Sequence, residues 1–162
     1  MTMDSRILRM LKENARVSYA EMADRLNMPE ATVREKVAEL EKNQVIQGYT
    51  AVINEELAED TKVRALIEVR VTPRRDGGFD EVAKRIARFD EVVRLYLVSG
   101  AYDLLLEVEG DSLQEVASFV SAKLSTIDGV LSTATSFQLK KYKESGKLML
   151  EEEEYERLKV CP

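Results

Sequence analysis

The sequence predicts an α+β chain: a tri-helical N-terminal half followed by a βαββαβ half. Three observations predict it. Apolar residues recur at steps of three and four as far as Leu40, and from Val63 they alternate with period two. Turn signals punctuate the chain at Asn27-Met28-Pro29, Ser99-Gly100-Ala101 and Asp128-Gly129.

Taken in order, Asp4 to Asn14 reads as a first helix with Ile7, Met10 and Leu11 on its apolar side. Ser18 opens the second, with Glu21 at the spacing of a capping box and Met22, Ala23 and Leu26 as its apolar edge. Pro29 cannot continue that helix but can begin the next. Val33, Val37 and Leu40 then form one buried stripe, which leaves Ala31, Thr32, Arg34, Glu35 and Lys36 on other faces. Val45-Ile46-Gln47-Gly48-Tyr49 reads as a short strand behind them. Two short helices with a three-residue turn fit helix-turn-helix geometry, which offers a rigid rod to a DNA major groove.

Residues 63–71 read as a strand ended by Pro73 and Gly77-Gly78, the glycines acting as a hinge before a helix with Phe79, Val82, Ile86 and Phe89. Val92 to Val98 and Asp103 to Val108 follow as two strands. A helix carries Leu113, Val116, Val120 and Leu124, and Val130 to Leu139 closes the series. The order βαββαβ is the ferredoxin-like split motif, with helices on one sheet face. With Val63 and its partners toward the helices, the other face carries Leu66, Glu68, Arg70, Arg94, Tyr96, Leu105 and Glu107. An apolar patch of Leu66, Tyr96 and Leu105 rimmed by charge reads as a dimer interface, the alternative being a patch of ordinary surface residues. Domains are expected at 1–54 and 63–141, with an acidic linker over 55–62 and an extension over 142–162.

The 162 residues include no histidine and one cysteine, Cys161, beside the C-terminus. Histidine-dependent catalysis and thiolate metal clusters are therefore excluded, and Cys161 reads as an inert tail residue. No phosphate-binding glycine loop, signal peptide or membrane span is expected, so the chain reads as a cytoplasmic non-enzyme without metal or cofactor. Net charge is −6; residues 1–54 hold eight Lys or Arg and eight Asp or Glu, so the acidic surplus lies beyond them. A neutral reading head binds phosphate weakly, and useful affinity needs several heads linked together.

The chain resembles the leucine-responsive/asparagine regulator (Lrp/AsnC, feast/famine) family of transcription factors. The likeness is carried in the N-terminal half by Asp4-Ser5-Arg6-Ile7-Leu8, residues 15–23, Thr32-Val33-Arg34-Glu35-Lys36-Val37, Leu40-Glu41 and residues 45–51. Further on it is carried by residues 97–106, Asp128-Gly129-Val130, Thr133-Ala134-Thr135 and Leu139-Lys140. The resemblance implies a homodimer, assembling to a tetramer or octamer, that reads double-stranded DNA through paired helix-turn-helix units. Thr32 and Arg34 would approach base edges or nearby phosphate, with Arg16, Ser18, Lys36 and Lys42 at the backbone. It also implies a C-terminal (RAM) domain that binds a free amino-acid effector. Ser99, Gly100, Ala101, Tyr102 and Asp103 form the candidate turn, Asp103 accepting from an α-ammonium, and Thr133, Thr135 and Ser136 offer hydroxyls. The other reading of Asp103 is a plain turn cap. A sirohaem-decarboxylase-like enzyme on the same architecture and an effector-binding protein without DNA binding are the alternatives.

The chain departs from the family pattern in three places. Pro29 stands where Ser or Thr usually opens the recognition helix, and Lys36 where Arg is general. Gln44 replaces the usual terminal Gly, so Asn43 is expected to take the left-handed turn. The tail from Lys141, including Leu150, Tyr155, Leu158 and the run Glu151 to Glu154, reads as a solvated, partly helical extension.

Overall fold

The computed structural model describes residues 2–58, 60–73 and 78–149. The chain divides into two compact units, one ending at Ile53 and the other beginning at Asn54.

The first unit holds α1 (Met3–Glu13), α2 (Tyr19–Leu26) and α3 (Glu30–Lys42). Each contributes one apolar stripe to a common core of Ile7, Met10, Met22, Ala23, Val33, Val37 and Leu40. The Ser18 hydroxyl accepts from the Glu21 N–H at 3.1 Å, while the Glu21 carboxylate turns to Arg25 at 2.7 Å, so only half of the capping box forms. Asn27 ends α2 with φ +53°. Pro29 begins α3 without a side-chain cap.

Two expectations here are corrected. Gln44, not Asn43, takes the left-handed turn, with φ +57° against −81°. The turn lets the N–H groups of Val45 and Ile46 both reach the Leu40 carbonyl, at 2.9 and 3.1 Å, which outweighs roughly 1 kcal/mol of backbone strain. Second, Val45 to Tyr49 form no strand, because no described strand lies beside them to complete a ladder.

In the second unit, β1 (Val63–Val71), β2 (Val92–Leu97), β3 (Leu104–Gly110) and β4 (Val130–Phe137) form one antiparallel sheet in the order β2-β3-β1-β4. That is the ferredoxin-like arrangement, with α4 (Asp80–Ile86) and α5 (Leu113–Ser118) completing βαββαβ. Ala65, Ile67, Val69 and Val71 face Leu104, Leu106 and Val108 of the adjacent strand in one core with Val82, Ile86, Val116 and Leu124. The second helix continues as a π-helical segment, Phe119–Leu124. Phe119, three residues after Val116, is buried, Val120 is half-buried against the same core, and Leu113 lies exposed.

The acidic stretch before β1 and the chain after β4 form an ion-pair network on the second sheet face. The Arg64 guanidinium, 14% exposed, pairs with Glu55, with Asp60 at 3.0 Å and with Glu109 at 2.9 Å. Lys141 bridges Glu55 at 2.8 Å and Glu144 at 3.2 Å. The solvated, partly helical reading of the tail is corrected over residues 143–148. There β5 (Lys143–Glu144) and β6 (Lys147–Leu148) pair around Ser145-Gly146, both at positive φ. Met149 is buried, donates its N–H to the Tyr142 carbonyl at 3.0 Å and receives the Asn54 side chain at 3.3 Å. Gly77, Cys161 and the readings of Leu150 to Leu158 lie outside the described residues.

Candidate DNA-reading head and effector turn

At the head, a cleft of about 530 Å³ opens where the N-terminus of α2 meets α3. Arg16, Ser18, Tyr19, Glu30, Arg34 and Tyr49 line it. The Arg34 guanidinium pairs with Glu30 at 2.7 Å and stacks over the Tyr19 ring at 4.6 Å. Tyr49 donates its hydroxyl to Glu41 at 2.7 Å. Burial and then that hydrogen bond push its pKa up to about 12.

Of the six residues expected at DNA, the fold brings Arg16, Ser18 and Arg34 together at this cleft. Thr32 lies elsewhere: two residues from Arg34, it sits roughly 160° around the helix axis. Lys36 shares the Thr32 flank and pairs with Glu39 at 2.8 Å, a contact that raises its pKa. Lys42 is exposed in the last turn. Tyr19 and Glu30, which restrain Arg34, were missed. For Glu30 the signal was spacing, since Glu30 and Arg34 stand at i,i+4; Tyr19 carried none.

In the second unit the β2–β3 turn is fixed to the end of β1. The Val71 N–H donates to the Asp103 carboxylate at 2.9 Å, and the Asp103 N–H to the Val69 carbonyl at 3.0 Å. Arg70 Nε donates to the Ala101 carbonyl at 2.9 Å. Ser99, Gly100 and Ala101 are exposed, and Tyr102 and Asp103 half-buried. One Asp103 oxygen therefore caps the strand, and the other makes no described contact.

The hydroxyls of β4 lie apart from this turn. Ser136 pairs across from Leu66, four residues from Arg70 along β1 and so roughly 13 Å away. Thr133 and Thr135 stand opposite Val69 and Ile67, on the helix-bearing side, whereas Ser136 is on the other side. A single chain does not gather all eight proposed effector residues at one point.

The second sheet face keeps Leu66 (42% exposed) and Tyr96 (51%), with Leu105 half-buried between them. Its charges are partly paired within the chain: Arg94 meets Glu107 at 2.6 Å and Glu144 at 3.3 Å. Among the described residues no cluster of metal-ligating side chains occurs, and no helix is long and apolar enough to cross a membrane.

A tri-helical head with an exposed second helix of the turn pair, joined to a ferredoxin-like domain, defines a two-domain transcriptional regulator. Residues 64–148 match the model of the Lrp/AsnC ligand-binding domain, and residues 2–47 that of a winged helix-turn-helix DNA-binding domain. The chain is 44% identical to the HTH-type transcriptional regulator YugG of Bacillus subtilis, covering 98% of this chain and 96% of that protein. It is 40% identical to the regulator PH0140 of Pyrococcus horikoshii over 82% of each. Among solved structures, it is similar to a Neisseria meningitidis transcriptional regulator in complex with L-Met. That likeness has a TM-score of 0.67 at 25% identity and covers 87% of this chain and 90% of that one. The chain belongs to the Lrp/AsnC family of DNA-binding transcriptional regulators.

Proposed function

We propose that the protein is a cytoplasmic homo-oligomer that reads a pseudo-palindromic operator and changes its grip on DNA when a free amino acid binds the β2–β3 turn. The observation that carries this is the half-used Asp103 carboxylate. It is held in place by the Val71 N–H and the turn is held by Arg70, so one oxygen stays available to an α-ammonium. The Neisseria relative bound to L-Met supports an amino acid as the ligand class. Because Thr133, Thr135 and Ser136 lie away from the turn in one chain, they belong to this site only through a second protomer.

The neutral head favours linked heads, since each subunit neutralises few phosphates. Leu66, Tyr96 and Leu105 are the patch that a two-fold partner would cover.

The test is a thermal-shift screen of the twenty amino acids, then DNA binding with each hit. Asp103→Asn is the informative variant, since it keeps an acceptor for Val71 and removes the charge. It should lose the thermal shift and the DNA response while basal DNA binding holds. An Asp103→Asn protein that responds like wild type places the effector elsewhere.

A further inference from the structure

Resting on the reading of α3 as the recognition helix, we propose that Glu35 reads a cytosine in each half-site. The phase of α3 sets its faces. Val33, Val37 and Leu40 are buried, so at roughly 100° per residue Ala31, Glu35, Ala38 and Lys42 point directly away from the core. All four are exposed. Bases are read by the first turns of a recognition helix, which leaves Lys42 to the backbone.

The cations of those first turns lie on the flanks, roughly 90–110° from the outward direction, with partners there. Arg34 is held by Glu30 and Tyr19, and Lys36 by Glu39. Glu35 makes no hydrogen bond or ion pair with any described residue. It is the one polar side chain at the centre of the outward face. Ala31 at i−4 and Ala38 at i+3 share that face with nothing beyond Cβ, so the backbone can approach the base edges around it.

A carboxylate pressed into a groove walled by phosphates is repelled unless it meets a donor. The floor of the major groove offers two, the N4 amino group of cytosine and the N6 amino group of adenine. Adenine carries the N7 acceptor beside N6, which opposes a second carboxylate oxygen. Cytosine has only a C–H there. Guanine and thymine present acceptors to the same position. Glu35 therefore selects cytosine.

The experiment is selection of the full-length protein against a random duplex library, with wild type, Glu35→Gln and Glu35→Ala in parallel. Wild type should fix a cytosine at one symmetric position per half-site, preferred over adenine by roughly tenfold. Glu35→Gln should move that position toward adenine, whose N6 and N7 suit an amide. Glu35→Ala should flatten it below roughly twofold and leave the other positions unchanged. Wild type and Glu35→Ala motifs that superimpose would overturn the assignment and leave the regulator intact. A library from which wild type enriches nothing would overturn sequence-specific binding as well.

Discussion

The two units are held by interactions of different reach. In the head, the ion pairs among the described residues are all i,i+3 or i,i+4 pairs on helix surfaces, such as Arg9–Glu13, Arg25–Glu21 and Lys36–Glu39. Such pairs are each worth a few tenths of a kcal/mol. The sheet domain instead ties residues far apart in sequence: Arg64 to Glu109, and Lys141 to Glu55 across 86 positions. The head owes its shape to apolar stripes and caps, whereas the second domain adds a half-buried charge network that ties the segment before β1 to the segment after β4.

Arg64→Met should produce the largest loss. It leaves Asp60 and Glu109 without the guanidinium and Glu55 with Lys141 alone, for about 2 kcal/mol, less than a fully buried pair because the carboxylates are a quarter exposed. Urea titration followed by a sheet-domain probe should show it while the head's helical signal is unmoved. A change under roughly 0.5 kcal/mol would make the network a surface ornament.

Acid should act next, and on the same domain. Asp60 is held below the usual carboxylate range first by the Lys62 N–H and then by Arg64, and Glu91 by Lys123. For Glu144, burial pushes up and is outweighed by Lys141 and Arg94. Depressed carboxylates stabilise the fold above their unfolded value, and that stability is lost as pH falls through the folded values. The sheet domain should therefore hold from neutrality to about pH 5 and weaken below about pH 4. Thermal midpoints across that range check it, and a loss beginning near neutrality would contradict it.

The smallest effect belongs to the head. Ser18→Ala removes the α2 cap and should cost about 1 kcal/mol, read by helical circular dichroism in denaturant.

The same contrast explains what the sequence revealed. Ser18, the Asn27-Met28-Pro29 turn and the Val33, Val37, Leu40 stripe are local signals, and the alternation along β1 is equally local. Legibility failed where hydrogen-bond geometry or contacts between elements decide. Gln44 adopts positive φ because two N–H groups converge on Leu40, a geometry that a preference for Asn at Asn43 cannot override. Val45 to Tyr49 have strand composition, but they pack on α3 and no described strand pairs with them. Phe119, three residues after Val116 on the same helix face, joined Val120 at the core, a position the stripe of Val116, Val120 and Leu124 passed over. The 143–148 hairpin had a readable cue in Ser145-Gly146, yet its seat depends on Met149 and Asn54, which no spacing links. At the candidate sites, Arg34 and Asp103 were legible as residues. Their restraints by Tyr19 and by Val71 were not, since both cross between elements.

The proposed regulation is a linkage between a ligand at the β2–β3 turn and DNA held by the head. The direct measurement is fluorescence anisotropy on an operator recovered from random-duplex selection, titrated with and without each amino acid for wild type and Asp103→Asn. The account predicts one or a few amino acids that change wild-type affinity by roughly 5- to 150-fold, and no change in Asp103→Asn. Affinity indifferent to all twenty, or an equal response in both proteins, would contradict it.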